Sequence, residues 1–318
     1  MARHLLILLF LVFFSISSFG QQGNKDQHQD NSLLPFLSAV NVTNDYIDLP
    51  NITYVTANHY EAKLDLYRPA SSAKPTPVVI HGGGWVAGTK EQVVTWTLPF
   101  LQMGFAVINV EYRLANTSLA PAAVEDCLCV LHWVGRNAAA QNFDLNKVVV
   151  TGASAGGHLA LTTAMIPTSA GFESECANDD DASGGAGAWP NHRAKVAAVV
   201  NWFGITDVAD LIQGENTRAY AVTWLGSQAN REEMARKMSP LTYIRHDLPP
   251  ILTIHGDHDT FVPYSHAVRL HQALTQAGVK NQLLTIPGKG HGNLEENTRA
   301  WQAVRAFLGD AGIIATKE

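Results

Sequence analysis

The sequence is short of charge, of cysteine and of basic runs, and each shortage closes off a class of protein. Charged residues make up only 16% of the chain, with a formal net charge of −6. No stretch gathers five or six lysines and arginines, so the clustered positive face that nucleic acid and anionic membranes select is missing. Nucleic acid is therefore not an expected partner. Three cysteines in 318 residues are too few for a disulfide-built scaffold, and their order gives no zinc-ligand spacing. Beyond the N-terminus no apolar run approaches the ~20 residues that cross a bilayer, so no stable membrane association is expected.

What is present begins with a leader. Arg3 and His4 precede an apolar block from Leu5 to Phe14, and Ser18 and Gly20 are small residues at −3 and −1 of a cleavage point before Gln21. Residues 1–20 thus read as a signal peptide and imply a secreted or periplasmic protein. The block is short for a membrane anchor. Residues 21–40 read as a flexible leader, whose first half, Gln21–Asp30, is polar and aperiodic. In an exported chain, Cys127 or Cys129 can bridge to Cys176, or all three remain thiols. Cys127 and Cys129, two apart on an expected helix, point to different faces and do not meet.

Residues 41–318 read as one catalytic domain, with 46% hydrophobic residues in the whole chain to fill a single large core. Short β-branched runs at Pro77–His81, Phe105–Val110, Lys147–Thr151, Val196–Trp202 and Ile251–His255 suit central parallel strands buried on both faces. Glu61–Tyr67 alternates like an outer strand, and Gln282–Ile286 closes the series. Amphipathic stretches at Pro121–Asn137, Ser265–Gln276 and Asn293–Phe307 read as helices, with Gly278 and Gly309 as stops. Alternating strands and helices predict an α/β fold with a mostly parallel sheet of about eight strands. Two insertions interrupt it. Pro167–His192, with Asp179-Asp180-Asp181, lacks a calcium-loop pattern and reads as a solvated turn. Residues 204–243 hold helical patterns around Ala219–Leu225 and Arg231–Lys237 and read as a lid-like insertion.

Three segments carry chemistry. Gly152-Ala153-Ser154-Ala155-Gly156 is a G-x-S-x-G pentapeptide between an expected strand and an expected helix. A tight turn there lifts Ser154 clear of the sheet and sets it at a helix N-terminus, where N–H groups favour developing negative charge. His81-Gly82-Gly83-Gly84-Trp85 follows another strand, and its glycines let backbone amides converge with no side chain in the way. The N–H groups of Gly83, Gly84 and Ala155 form a candidate oxyanion hole. A serine hydroxyl needs a base, and the base needs a carboxylate. Of thirteen histidines, His291 lies in the small-residue loop Gly288–Gly292 after the last strand, where an imidazole can reach the serine. The loop after the penultimate strand, His255-Gly256-Asp257-His258-Asp259, offers two aspartates, of which Asp257 also suits tying down the turn.

HGGGW, EYR (Glu111–Arg113), PAAVEDC (Pro121–Cys127), GASAGGHLA (Gly152–Ala160) and HGDHDTFVP together resemble the hormone-sensitive-lipase-like branch of the α/β-hydrolases. Within that branch the chain is most similar to the bacterial feruloyl-esterase-like group, from about Tyr60 to Leu308. The resemblance implies the α/β-hydrolase fold, a Ser154–Asp259–His291 triad and the Gly83–Gly84–Ala155 oxyanion hole. It therefore selects Asp259 over Asp257. The implied activity is carboxylic-ester hydrolysis through an acyl-enzyme, on small or glycan-linked esters of acetyl or feruloyl type, with no cofactor and no metal. The acidic, glycine-rich 167–192 loop departs from the family. Trp85, Trp202 and Trp224, with Phe203 and Tyr264, lie near loops and are candidate substrate-binding residues, the alternative being that they pack the insertion against the core. Rival readings are an amide hydrolase of aryl-formamidase or peptidase type, a long-chain lipase, and a catalytically inactive hydrolase fold that only binds.

Overall fold

The computed structural model describes residues 46–69, 74–177 and 193–315. The expected signal peptide and leader, and the Asp179–Asp181 run, lie outside the described residues.

Eight strands form one sheet: β1 (Tyr46–Ala57), β2 (Tyr60–Pro69), β3 (Lys74–Ile80), β4 (Val107–Val110), β5 (Phe143–Ala153), β6 (Val196–Trp202), β7 (Ile251–Gly256) and β8 (Asn281–Ile286). Their order is β1-β2-β4-β3-β5-β6-β7-β8. Only β2 runs against its neighbours β1 and β4, and every other pairing is parallel. The helices are α1 (Val94–Gln102), α2 (Ala122–Gln141), α3 (Ala155–Met165), α4 (Ala219–Leu225), α5 (Arg231–Lys237), α6 (Ser265–Gln276) and α7 (Thr298–Asp310).

The period-two rule of a strand sorts side chains between two cores. Val78, Ile80, Val148, Val150, Val199 and Ile251 pack into one, with α2, α3 and α6. Their neighbours Val79, Val149, Val200, Leu252 and Ile254 pack into the other, with α1 and α7. That double burial is why the central strands are runs of valine and isoleucine rather than alternating sequences.

Three local differences from the sequence expectations have physical causes. Glu61–Tyr67 is not the outer strand, because β1 covers it. β1 in turn slips register against β2 on either side of Ile52 and Thr53, with Asn51 at φ 57°. Such bulges make a poor template for a further strand. Helix α1 was not expected, since VTWTLPFLQ is rich in β-branched residues and holds Pro99. Burial of Phe100 and Leu101 outweighs that preference. Gly309 does not stop α7 but lies within it, and the turn comes at Gly312 with φ 71°.

Cys129 on α2 is disulfide-bonded to Cys176, while Cys127 stays free and buried. The bond closes a separation of 47 residues, which by chain entropy contributes about 4 kcal/mol. No helix among the described residues is long and apolar enough to cross a membrane.

Candidate active site

The turn between β5 and α3 holds Ser154 in a backbone conformation that side chains rarely adopt, φ 58° and ψ −119°. Such a conformation costs about 1–3 kcal/mol and persists only where the surroundings over-determine it. Here they do. The Ser154 N–H donates to the Trp202 carbonyl at 2.9 Å, and its own carbonyl accepts from His158 N at 3.0 Å. A Cβ on Gly152 would lie 2.5 Å from the Ile80 and Gly156 carbonyl oxygens, and one on Gly156 would lie 2.1 Å from the Ile80 oxygen. Backbone packs on backbone with no room for a methyl group on either side of Ser154.

His291 comes from the loop after β8. Its Nε2 lies 3.0 Å from Ser154 Oγ and its Nδ1 lies 2.8 Å from Asp259 Oδ2. Next to a carboxylate, Nδ1 carries the proton and donates it, which leaves Nε2 to accept from the serine hydroxyl. Asp259 sits on the loop after β7 and is 8% exposed. Burial alone would push its carboxyl up. His255 and His291, with the Val262 N–H, outweigh that and hold it well below the usual carboxylate range. Oδ1 accepts from Phe261 N at 2.8 Å and Val262 N at 2.9 Å, and Oδ2 accepts from His255 Nε2 at 3.1 Å as well as from His291. Asp257 does something else: its Oδ1 accepts from the Gly288 N–H at 2.6 Å and ties the two loops together.

The glycine motif lies against Ser154. A Cβ on Gly82 would stand 3.6 Å from the Ser154 Cβ and 2.9 Å from the Ala153 oxygen. Gly83 and Gly84 have φ of 108° and 61°, and the Gly83 carbonyl turns back to accept from Val86 and Ala87. The N–H groups of Gly83, Gly84 and Ala155 donate to no acceptor among the described residues. His81 underlies the turn, its Nδ1 2.8 Å from the Gly82 oxygen, and burial lowers its pKa to about 4. His158 on α3 is likewise lowered to about 4 by burial. It accepts at Nδ1 from Trp85 Nε1 and donates from Nε2 to the Met238 carbonyl.

The three tryptophans do not line a site. Trp85, Trp202 and Trp224 are each 0% exposed. Trp85 stacks on Trp224 at 4.1 Å in one core, and Trp202 packs between Trp96 and Trp301 in the other. A ring with no accessible surface cannot meet a substrate, and the expectation for these residues is corrected accordingly. Their aromatic area goes into packing, and Trp202 serves Ser154 through its backbone carbonyl.

Other residues take part that the sequence did not mark. His255 belongs to the HGDHD segment, where only its histidine type gave a hint. The 204–243 insertion reaches the same loop: Arg218 donates to the Thr260 and Phe261 carbonyls, each at 3.1 Å, and the Tyr220 hydroxyl donates to the Phe261 carbonyl at 3.0 Å. Burial pushes the Tyr220 phenol well above its usual range, so the hydroxyl stays a donor. Tyr220 also fills the space above Gly84, where a Cβ would meet the tyrosine Cβ at 2.8 Å. One side chain therefore spans the glycine motif and the aspartate loop.

A family model described as BD-FAE matches residues 64–274. Esterase LipC of Mycobacterium tuberculosis is 28% identical over 239 residues, covering 72% of this chain and 56% of its own length. A probable isoprenylcysteine alpha-carbonyl methylesterase, ICMEL1, of Oryza sativa subsp. japonica is 26% identical over 245 residues, covering 73% of this chain and 54% of its own. The chain spans little more than half the length of these curated relatives. Among solved structures, a truncated carbohydrate esterase from gut microbiota aligns with a TM-score of 0.70 and 29% identity, over 84% of this chain and 97% of that one. The thermophilic esterase Est2 of Thermogutta terrifontis aligns at 0.68 and 25% identity, over 84% of this chain and 94% of its own.

Proposed function

The chain belongs to the BD-FAE family and has the α/β-hydrolase fold, and from that premise we propose that it is a serine carboxylic-ester hydrolase working through an acyl-enzyme on Ser154. The observation that carries this reading is the unbroken relay from Ser154 Oγ to His291 Nε2 at 3.0 Å and from Nδ1 to Asp259 Oδ2 at 2.8 Å.

As Oγ attacks the ester carbonyl, His291 takes its proton at Nε2 and becomes an imidazolium. The ionised Asp259 stabilises that charge and holds the ring in the productive tautomer. The carbonyl oxygen gains negative charge as it becomes tetrahedral. The Gly83, Gly84 and Ala155 N–H groups receive it, each such donor supplying on the order of 3 kcal/mol. The imidazolium then protonates the leaving alkoxide, and water repeats the sequence in reverse roles on the acyl-serine.

For substrate, the proposal is small or glycan-linked esters of acetyl or feruloyl type. Its supports are the family membership, the likeness to a structure named a carbohydrate esterase, and the secretory signature at Arg3–Gly20. Export to the periplasm or the medium is part of the same proposal.

The test is Ser154→Ala in the purified chain, assayed on p-nitrophenyl acetate and on acetylated and feruloylated oligosaccharides. Hydrolysis falls by at least ~10⁴-fold while circular dichroism and Tm stay at wild-type values. A variant that still turns over near the wild-type rate overturns the nucleophile assignment.

A further inference from the structure

Large apolar side chains are exposed at only three places among the described residues, Leu119, Leu145 and Phe261, and Phe261 is the most exposed at 58%. A single exposed ring is ordinary on a protein surface. The position of this one is not. Its centroid lies 5.2 Å from that of the His291 imidazole, with the planes 34° apart. The other phenylalanine on His291, Phe203, is 2% exposed and meets the imidazole edge-on at 4.8 Å. Of the two phenylalanines flanking the base, one is sealed in the core and the other is open to solvent.

The exposed ring also stands on a fixed base. The Phe261 N–H donates to Asp259 Oδ1 at 2.8 Å. Its carbonyl accepts from Arg218 Nε at 3.1 Å and from the Tyr220 hydroxyl at 3.0 Å. Both polar groups of the residue are bonded, one to the carboxylate that orients His291 and one to the insertion. A ring presented this way loses little further freedom when something packs on it, the condition under which a contact contributes most to binding.

The chemistry of the step says what packs there. His291 gives its proton to the oxygen of the departing alcohol, so that oxygen must come within hydrogen-bond reach of Nε2. The carbon skeleton on that oxygen leaves the site beside the imidazole, whereas the acyl skeleton stays on Ser154. We propose that Phe261 is the specificity-determining platform for the leaving alcohol, stacking on a flat apolar face of it. That face is an aryl ring or the apolar side of a sugar ring. This proposal rests on the esterase reading and adds the side of the ester that the enzyme discriminates.

The experiment compares wild type, Phe261→Leu and Phe261→Tyr on ethyl acetate, benzyl acetate, a monoacetylated methyl xyloside and ethyl phenylacetate. The readouts are ratios of kcat/KM to that for ethyl acetate. In Phe261→Leu the benzyl ratio, the xyloside ratio or both fall roughly three- to tenfold, the size of a ring–ring or ring–sugar contact. Phe261→Tyr, which keeps the ring, restores them. A fall confined to benzyl acetate assigns the platform to aryl alcohols, and a fall confined to the xyloside assigns it to sugars. Alcohol ratios that do not move, or a fall seen only for ethyl phenylacetate, overturn the proposal while leaving an active esterase. A wild type inactive on all four esters overturns the esterase reading and this proposal with it.

Discussion

The Ser154 turn and the loops that carry His291 and Asp259 solve the same positioning problem by opposite means. Around Ser154 the constraint is steric. Gly152 and Gly156 bring backbone onto backbone, and the serine is forced to φ 58° because nothing else fits. Around His291 and Asp259 the constraint is polar and aromatic. Four donors converge on one carboxylate, and two phenylalanine rings flank the imidazole. The first arrangement leaves no adjustable part, since removing strain would mean removing the turn. The second consists of separable contacts, each of which can be weakened while the others stand. The comparison teaches that Ser154 is placed by exclusion and His291 by attraction.

The largest break in that comparison is expected from Gly156→Ala. The added methyl meets the Ile80 oxygen at 2.1 Å, with the His81 carbonyl close behind. Overpacking against backbone cannot be relieved by a rotamer change. The variant loses about 3 kcal/mol or more, seen as a Tm lower by roughly 5–10 °C together with loss of activity. A Tm unchanged from wild type would show the turn to be more yielding than its packing implies. Next comes Asp259→Asn on the polar side, where the two effects separate. The amide cannot hold the same imidazole tautomer, so kcat falls by about 10⁴-fold while the circular dichroism spectrum is retained. A loss of less than tenfold would mean that His255 and the ring contacts alone orient the base.

The smallest effect sharpens the contrast through pH. His81 and His158, both beside the steric site, are lowered by burial from 6.5 to about 4. Their contribution to stability is complete above about 6.5 and is lost as pH falls toward about 4, because the unfolded chain takes up the protons first. Asp259 has the same sign in a more acidic window. It is held below its ordinary 3.8, so its contribution is present above that value and is lost only in stronger acid. Acidification from pH 6.5 to 4 therefore strains the serine side before the carboxylate is touched. Tm declines over this window in wild type, and declines less in His158→Gln, whose amide can still accept from Trp85 and donate to Met238. Parallel declines in the two proteins would remove His158 from the account.

This division also explains what could be read from residues alone. Steric demands write glycines into the chain, so the G-x-S-x-G turn and the HGGGW segment stand out and Ser154 with them. The strands were legible because burial on both faces leaves unbroken runs of valine and isoleucine. Polar demands are written more faintly. Asp257 and Asp259 are equivalent as letters two apart; the family resemblance chose between them, and the fold sends one to Gly288 N–H and the other to His291. Arg218 and Tyr220 act on backbone carbonyls some forty residues away, and a carbonyl imposes no residue type on its own position. The tryptophans misled for a related reason. An aromatic residue near a loop does not say which way it faces: Trp85 lies in the turn after β3 and Trp202 ends β6, and both rings are buried.

Phe261 does two jobs with different parts of one residue. Its main chain bonds the carboxylate of Asp259 on one side and the 204–243 insertion on the other, and every amino acid except proline carries the same N–H and C=O. Its side chain meets both the outside and the His291 imidazole. Exchanging that ring for another can thus retune which alcohols are accepted while the main-chain bonds to Asp259 and to the insertion stay in place. Selection then has a dial for substrate preference whose mounting does not depend on the residue chosen, proline excepted.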